Sequence, residues 1–335
     1  MNKTIIIDAG SSRVRAGFAD EATPRAIVSS SVLGASPISL GEVVDVEGWT
    51  TLIRHIVSNE LKVDPAGCNI LLTTPALGNR VIYGQLLAVL FDTFGAAGAY
   101  FMDGAVGAML SQGMTDGVVV EIGHEVMTVA SIYGRSVLPG TVNRLWLGGR
   151  QVNEYLCTVL AQRGVSVDQQ TAQMLKEGLS YVIPDEYEDD TNPYQGDASM
   201  SVNGTTYTLG RERFRSAELL LNPAFIGVEA VGVGDMIFNT VMASEMDLRN
   251  GLLGNIVLSG GSTLFPGLPE RLQTDVARRA PIRAQTRVLA VADRDVISWK
   301  GGKVAALQLA DEHWISRAEY DSNGPDIWKI KCFDV

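Results

Sequence analysis

Two segments of the chain follow one plan, in which an apolar run ends at an acid-x-Gly turn and a second extended run follows. The first copy comprises residues 3–7, then Asp8, Ala9 and Gly10, then residues 14–18; the second comprises residues 118–120, then Glu121, Ile122 and Gly123, then residues 126–132. Each copy is typical of a strand, a tight turn and a second strand. The repetition predicts a duplicated α/β core, although α/β proteins without duplication also contain several such turns.

A third glycine-rich turn lies near the C-terminal end. Residues 256–258 form an apolar run that ends at Ser259, Gly260 and Gly261, and apolar residues recur at helical spacing across residues 268–276. Glycines between a strand and a helix let backbone N–H groups approach an anion closely. Tight packing of the helix on the strand selects the same residues, so both explanations stay open.

Composition excludes several classes of partner and site. The formal net charge of −11 argues against nucleic acid and anionic membranes. The most apolar stretch, residues 96–114, contains Asp103 and Gln112 and is interpreted as a packed helix, not as a membrane span. Three cysteines and three histidines are scattered, so neither a disulfide framework nor a zinc site is predicted. Five acids within residues 185–190 are more typical of a solvated loop than of a cation site.

Several ordered segments carry a resemblance to the actin family. Residues 8–18, with the sequence DAGSSRVRAGF, resemble the first phosphate hairpin of actin, and residues 258–267, with the sequence LSGGSTLFPG, resemble its adenosine-side loop. Residues 314–321, with the sequence WISRAEYD, look like part of its C-terminal segment. The similarity spans nearly the whole chain. It implies the actin-type α/β fold, which is a ribonuclease H-like, duplicated, two-lobed fold with a central nucleotide cleft.

The resemblance also implies a domain division. Residues 1–111 together with 297–335 are expected to form the first lobe, and residues 112–296 the second, with the fourth subdomain at about 148–228. Subdomain 2 is expected to be nearly absent around residues 34–41. Gly34 matches its entrance and Pro37 its exit, with only two residues between them. A short connection can close there, but a subdomain cannot fit.

Matched residue by residue, the resemblance implies an adenine nucleotide site. Asp8 matches the acid that orients metal-bound water, which makes it the candidate metal contact, and Arg15 matches a phosphate-contacting lysine. The implied cofactor-binding residues are Asp8, Gly10, Ser11, Ser12, Arg15, Gly123, Lys176, Glu177, Gly260 and Gly261. The implied cofactor is ATP or ADP with Mg²⁺. The alternative is that these residues serve only the architecture of the turns.

Six positions in the matched cleft depart from the family pattern. Gly104 stands where the family has a water-positioning glutamine, and Thr128 stands where it has a histidine associated with hydrolysis. Phosphoryl transfer to water depends on positioning and charge stabilisation, so neither efficient hydrolysis nor any catalytic residue is expected. The other departures are Glu121 and His124 for aspartates, Glu125 for a glycine and Asp295 for a basic residue.

The expected function is that of a non-hydrolysing structural or adaptor subunit in a hetero-oligomeric complex, such as a dynein or ciliary assembly or a filament-end cap. The alternatives are an ATP-hydrolysing actin-like filament former and a nuclear subunit of a chromatin-remodelling complex. A long homopolymer is not expected, because one of the two faces that a filament needs lacks its inserting loop. The chain is expected in the cytoplasm and cytoskeleton, the cilium included, with the nucleus as the alternative. Protein partners are expected at a lower groove formed by Leu110, Gly113, Val304, Leu307 and Leu309.

Overall fold

The computed structural model describes residues 3–184 and 196–332; the acidic run at residues 185–190 lies outside them. The strands of the described residues are, in chain order, β1 (Thr4–Ala9), β2 (Arg13–Phe18), β3 (Ala26–Ser29), β4 (Ile38–Ser39), β5 (Glu42–Val43), β6 (Asn69–Thr74), β7 (Gly98–Asp103), β8 (Gly117–Ile122), β9 (Met127–Tyr133), β10 (Ser136–Val137), β11 (Asn143–Leu145), β12 (Ala198–Val202), β13 (Thr205–Leu209), β14 (Ile256–Ser259), β15 (Val288–Leu289) and β16 (Ile315–Ser316).

Helices connect and cover these strands. In chain order they are α1 (Val46–His55), α2 (Tyr83–Ala88), α3 (Gly104–Ser111), α4 (Gly149–Ala161), α5 (Gln169–Leu179), α6 (Glu212–Ala217), α7 (Val233–Ala243), α8 (Arg249–Leu253), α9 (Leu268–Arg279), α10 (Ile297–Gln308), α11 (Arg317–Asn323) and α12 (Trp328–Lys331). Turns with π-helical hydrogen bonding at Ile56–Glu60 and Val89–Thr93 extend α1 and α2.

Two mixed sheets repeat one arrangement. In the described residues the first sheet has the order β16-β7-β6-β1-β2-β3, and the second has the order β10-β9-β8-β14-β15, with β11 also paired to β9. In each sheet the hairpin is antiparallel, and two further strands run parallel to its first strand: β6 and β7 beside β1, and β14 and β15 beside β8. This shared order confirms the duplicated α/β core that the repeated turns predict.

The alternation of side chains along β8 divides its two faces between two hydrophobic cores. Val118 and Val120 belong to the core of the second sheet, whereas Val119 packs in the core that surrounds the first sheet. The helices α3 and α10 contact each other and pack between the two sheets, α3 against β8 and α10 against β1. The pair therefore forms the centre of the molecule.

The crossing of α3 and α10 depends on glycine. A Cβ atom added to Gly301 of α10 would collide with the carbonyl oxygen of Gly107 in α3. Only helices without side chains at the crossing can approach until their backbones touch, because the contacting side chains otherwise set the distance between the axes. This crossing fixes how the two sheets face one another.

The segment at residues 34–45 is named the strap here. It includes the position at which the sequence predicts that subdomain 2 is nearly absent. It contains the two-stranded antiparallel sheet of β4 and β5, in which Ile38 pairs with Val43 and Ser39 with Glu42. Ile38 is buried in the first core, and Val44 donates a backbone hydrogen bond to the carbonyl of Pro37. The Asp45 carboxylate then caps α1 by accepting from the N–H groups of Glu47 and Gly48. The strap is thus held by Ile38 in the first core and by Asp45 at the start of α1.

One interpretation from the sequence is wrong in part. Residues 96–114 do not form a single packed helix, because their first half is the buried strand β7 and only their second half is the helix α3. Both elements are apolar except for their last residues, Asp103 and Ser111, since β7 lies in the sheet interior and α3 is buried along most of its length, and periodicity cannot distinguish such segments. Within residues 3–184 and 196–332, no helix is long and apolar enough to cross a bilayer.

Two glycine-to-alanine substitutions test the helix crossing, because they should change the free energy of unfolding in opposite directions. We expect Gly301→Ala to lower the free energy of unfolding by about 1–3 kcal/mol, because the added methyl group overpacks the contact with α3. Gly251→Ala, in α8, meets no atom within 4 Å and should raise stability by about 0.5–1 kcal/mol through the gain in helix propensity. Urea unfolding of both variants measures these effects, and equal effects would contradict the backbone contact.

Candidate functional site

A cleft of about 300 Å³ opens between the two sheets and brings together every cofactor-binding residue predicted from the sequence. It is bounded by the turn after β1, the turn after β8, the glycine-rich turn after β14 and one face of α5. The predicted residues that line it are Asp8, Gly10, Ser11, Ser12, Arg15, Gly123, Lys176, Glu177, Gly260 and Gly261.

Two equivalent hairpin turns form opposite sides of this cleft. The Gly10 N–H donates to the carbonyl of Arg13 at 3.2 Å, and the Gly123 N–H donates to the carbonyl of Val126 at 2.9 Å. In each hairpin an acid lies two residues before the glycine, so Asp8 and Glu121 occupy equivalent positions. The two turns can therefore present backbone N–H groups to one anion from two sides.

The floor of the cleft concentrates acids and arginines. Asp8 accepts a hydrogen bond from the Thr73 hydroxyl at 2.6 Å, and its other oxygen lies 3.5 Å from the guanidinium of Arg15. Burial, together with the negative charge of Asp8, raises the pKa of Glu121 to about 7 despite the lowering effects of Arg15 and Arg144. The alternation of β8 explains the position of Glu121, because it places this carboxylate on the face towards α3.

Asp103 is a buried acid that reasoning from the sequence missed as a site residue. It ends β7 directly before Gly104, is only 4% exposed, and has one carboxylate oxygen 3.8 Å from a guanidinium nitrogen of Arg80. Burial raises the pKa of Asp103 to about 6 despite the lowering effect of the Arg80 charge. The second residue missed is Arg144 of β11, which lines the cleft and donates to the carbonyl of Ala76 at 2.7 Å. Neither belongs to a local motif, so no signal in the sequence identifies them.

The opposite end of the cleft is formed by α5. The Asp168 carboxylate caps this helix by accepting from the Thr171 N–H at 2.7 Å. Lys176 is buried and donates to the carbonyl of Gly149 at 3.1 Å, and burial lowers its pKa to about 8. Glu177, next to it, is half exposed and lies 3.5 Å from the guanidinium of Arg13 across the cleft.

The two glycines after β14 have different roles. Gly260 has a φ of +91°, and a Cβ there would lie 2.5 Å from the carbonyl oxygen of Ile122. Close approach of two backbones therefore requires this glycine whether or not a ligand binds. A Cβ on Gly261 would meet no atom within 4 Å, so Gly261 leaves open space beside the cleft. Ser262 follows and donates to the carbonyl of Gly123 at 2.8 Å, which links this turn to the second hairpin.

The positions that depart from the family pattern lie in or beside the same cleft. A side chain at Gly104 would meet the Ser298 hydroxyl and the Thr74 carbonyl at 3.5 Å, and Thr128 is buried within β9. Burial lowers the pKa of His124, and the charge of Lys176 lowers it further. Asp295 also lines the cleft. Glu125, on the second hairpin turn, bonds to the strap and to Arg150.

The donors and the space fit a nucleotide better than they fit a free metal ion. The two hairpin turns and Arg15 offer N–H groups and positive charge at one end, and the open space beside Gly261 lies at the other. In the described part of the chain, no group of three or more His, Cys, Asp or Glu side chains is placed to hold a metal. Mg²⁺ therefore fits only with phosphate oxygens and water as ligands, and Asp8 can contact it through water.

The residues of the predicted partner groove have different accessibilities. Leu110 at the end of α3 is buried, so its side chain is not available to a partner. Val304 and Leu309 are half-buried and pack against the first core. Gly113 is exposed, and Leu307 of α10 is 66% exposed, so this leucine is the most accessible apolar side chain of the set.

A comparison with protein families identifies one match. The family model described as Actin matches residues 34–177 and 167–333 of the chain. These segments contain the second sheet, the strands β6, β7 and β16 of the first sheet, the second hairpin turn, α5 and the glycine-rich turn after β14, whereas β1, β2, β3 and the first hairpin turn precede them. The match extends over well more than half of the sequence.

The raised pKa of Glu121 predicts a dependence of stability on pH. Its folded pKa of about 7 exceeds the ordinary value of 4.5, so the folded state binds more protons between these pH values. Stability therefore falls as the pH rises through this window. Glu121→Gln should be more stable than the native chain by about 2 kcal/mol at pH 8, with little difference at pH 5.

Thermal and urea unfolding between pH 5 and pH 8 measure this difference. The control is Glu229→Gln, at an exposed acid outside the cleft, which should follow the native chain at every pH. A Glu121→Gln variant whose difference from the native chain does not change with pH would contradict the assigned ionisation.

Proposed function

The chain belongs to the actin family, and from this premise we propose that it is a structural or adaptor subunit that holds an adenine nucleotide without hydrolysing it efficiently. Proteins of this family generally bind ATP or ADP with Mg²⁺. The convergence of all the predicted cofactor-binding residues on one cleft supports nucleotide binding by this chain.

Each end of the cleft would hold a different part of the nucleotide. Gly10, Ser11 and Ser12 would bind phosphate oxygens through the first hairpin turn, with Arg15 supplying positive charge and Gly123 a backbone N–H from the other side. Lys176, Glu177 and the turn at Gly260 and Gly261 would contact the nucleoside. A bound Mg²⁺ would supply positive charge beside the phosphates, and Asp8 would orient its water.

The observation that carries the proposed loss of hydrolysis is the environment of Gly104. The space beside this glycine is bordered by the Ser298 hydroxyl and the Thr74 carbonyl, and the threonine at position 128 is buried. Hydrolysis requires a water molecule held in line with the phosphorus–oxygen bond that breaks. A glycine offers no side chain to hold that water, so turnover should be slow.

The short strap supports the second part of the proposal, that the chain is a subunit of a complex and does not form filaments itself. Its two-residue hairpin turn offers no loop that reaches into a neighbouring protomer, whereas the exposed Leu307 of α10 leaves an apolar side chain available to a partner. Such a protomer would accept a partner at one face only. The settings we propose are a dynein or ciliary complex or a filament-end cap in the cytoplasm and cytoskeleton, with a nuclear chromatin-remodelling complex as the alternative.

One observation favours an active ATPase as the second candidate. Glu121, with a pKa of about 7, and His124, whose pKa is lowered, both line the cleft and could accept a proton from water near neutral pH. An efficient general base has a pKa near the working pH. If these groups act in this way, the chain hydrolyses ATP by a route that does not need a side chain at position 104.

One experiment tests the proposal against this alternative. The purified chain is incubated with ATP and Mg²⁺ under conditions that polymerise actin, while phosphate release, sedimentation and negative-stain images are recorded. We expect bound nucleotide by calorimetry, phosphate release no faster than in buffer, and no filaments. Gly104→Gln alone should not restore hydrolysis while Thr128 is present.

The outcomes separate the two candidates. Phosphate release that Glu121→Gln abolishes would establish the ATPase and overturn the non-hydrolysing reading. Long filaments of the pure chain would overturn the subunit reading whether or not ATP is hydrolysed. An absence of nucleotide binding at saturating ATP would remove the nucleotide from the proposal.

A further inference from the structure

The tip of the strap reaches the cleft and contacts the second lobe. Leu40 and Gly41 form the two-residue turn between β4 and β5, with φ values of +53° and +82°. Two successive positive φ values are typical of the tight turns that suit such hairpins, but a leucine adopts this conformation only at a cost. Backbone strain of this kind persists where surrounding contacts hold it in place.

The contacts that hold this turn come from both hairpins of the cleft. The Leu40 N–H donates to the Glu125 carboxylate at 2.6 Å, and the Gly41 N–H donates to the Ser11 hydroxyl at 2.8 Å. Ser11 lies in the hairpin of the first sheet and Glu125 in that of the second. The other oxygen of Glu125 lies 3.2 Å from the guanidinium of Arg150, which fixes this carboxylate to its own lobe.

Two ion pairs also join the two sides of the cleft. Glu42, on the strap, lies 3.4 Å from the guanidinium of Arg144 in the second sheet. At the nucleoside end, Arg13 lies 3.5 Å from Glu177. The side chains of Arg13 and Glu177 are 44% and 51% exposed, so solvent screens their attraction strongly. The side chain of Glu125 is only 12% exposed, which makes its charge-assisted hydrogen bond the strongest of these links.

We propose that Glu125, with Glu42–Arg144 and Arg13–Glu177 in support, forms a latch that holds the cleft closed when no nucleotide is bound. The carboxylate of Glu125 supplies, from within the chain, a negative charge on the second hairpin turn that accepts an N–H bond from the opposite lobe. The two lobes are joined through it without a ligand between them.

The latch extends the proposed function. The contacts that form it do not depend on that function, but the reason why a latch would be useful rests on it. A subunit with a fixed place in a complex gains from a shape that does not change with nucleotide state. Leu40 and Gly41 line the cleft beside Ser11, so the latch shapes the end of the cleft to which the proposed function assigns the phosphates.

Hydrogen exchange of the backbone amides in the nucleotide-free protein tests the latch directly. The Leu40 amide should be protected in the native chain. In Glu125→Ala its exchange should be about tenfold to a hundredfold faster, because a hydrogen bond to a charged group is lost. Gly41, bonded to Ser11, should change less. The conservative variant Glu125→Gln, which keeps an acceptor oxygen but no charge, should show a smaller increase at Leu40.

Glu154→Ala is the matched control. Glu154 lies 3.8 Å from the same Arg150 and, among the residues that the structure describes, forms no hydrogen bond or ion pair with the strap, so its removal should leave the Leu40 amide unchanged. Exchange of the Leu40 amide at the rate of an open loop in the native chain would overturn the latch. Equal effects of Glu125→Ala and Glu154→Ala would also overturn it. Because the measurement contains no nucleotide, neither ATP hydrolysis nor filament formation bears on its result.

Discussion

The backbone contact between α3 and α10 is the interaction on which the rest of the molecule depends. Each helix links one sheet to the other along the chain, α3 between β7 and β8 and α10 between β15 and β16. Because the pair packs between the two sheets, the distance at which they cross sets how closely the hairpin turns face one another. Gly107 and Gly301 make that distance as short as two helices allow. A bulkier residue would separate the sheets and widen the cleft, and the contacts of the strap with both hairpins would be lost together.

Within the space that this crossing defines, the balance of charge determines what the cleft can hold. Asp8, Glu121 and Asp103 approach one another at its floor, and Arg15 and Arg144 offset part of their repulsion. The remaining cost appears in the raised pKa values of Glu121 and Asp103. An anionic ligand would be held by the N–H groups of the turns and by Arg15, at some distance from these carboxylates. Glu125 adds a negative charge on the second hairpin turn, and this charge holds the tip of the strap at that end of the cleft.

Features that depend on neighbouring residues could be predicted from the sequence, and features that depend on distant residues could not. The hairpin at Asp8, its repeat at Glu121 and the helix α9 follow from short-range patterns of apolar residues and glycine. Gly260 lines the cleft, but what requires a glycine at this position is a backbone contact with Ile122, far away in the chain. Arg144 lines the cleft, and Asp103 lies beside it, only because the fold brings β11 and the end of β7 together there. The bond from Leu40 to Glu125 joins residues 85 positions apart, and no local pattern indicates it.

If the latch holds the cleft closed, closure is a property of the chain and does not depend on a bound nucleotide. Small-angle X-ray scattering of the nucleotide-free protein, before and after addition of saturating ATP with Mg²⁺, tests this claim most directly. A compact chain of this length should have a radius of gyration of about 20 Å, and we expect the same value and the same scattering profile in both states. A nucleotide-free protein with a larger radius that contracts when ATP is added would show that the ligand closes the cleft, and would contradict the account.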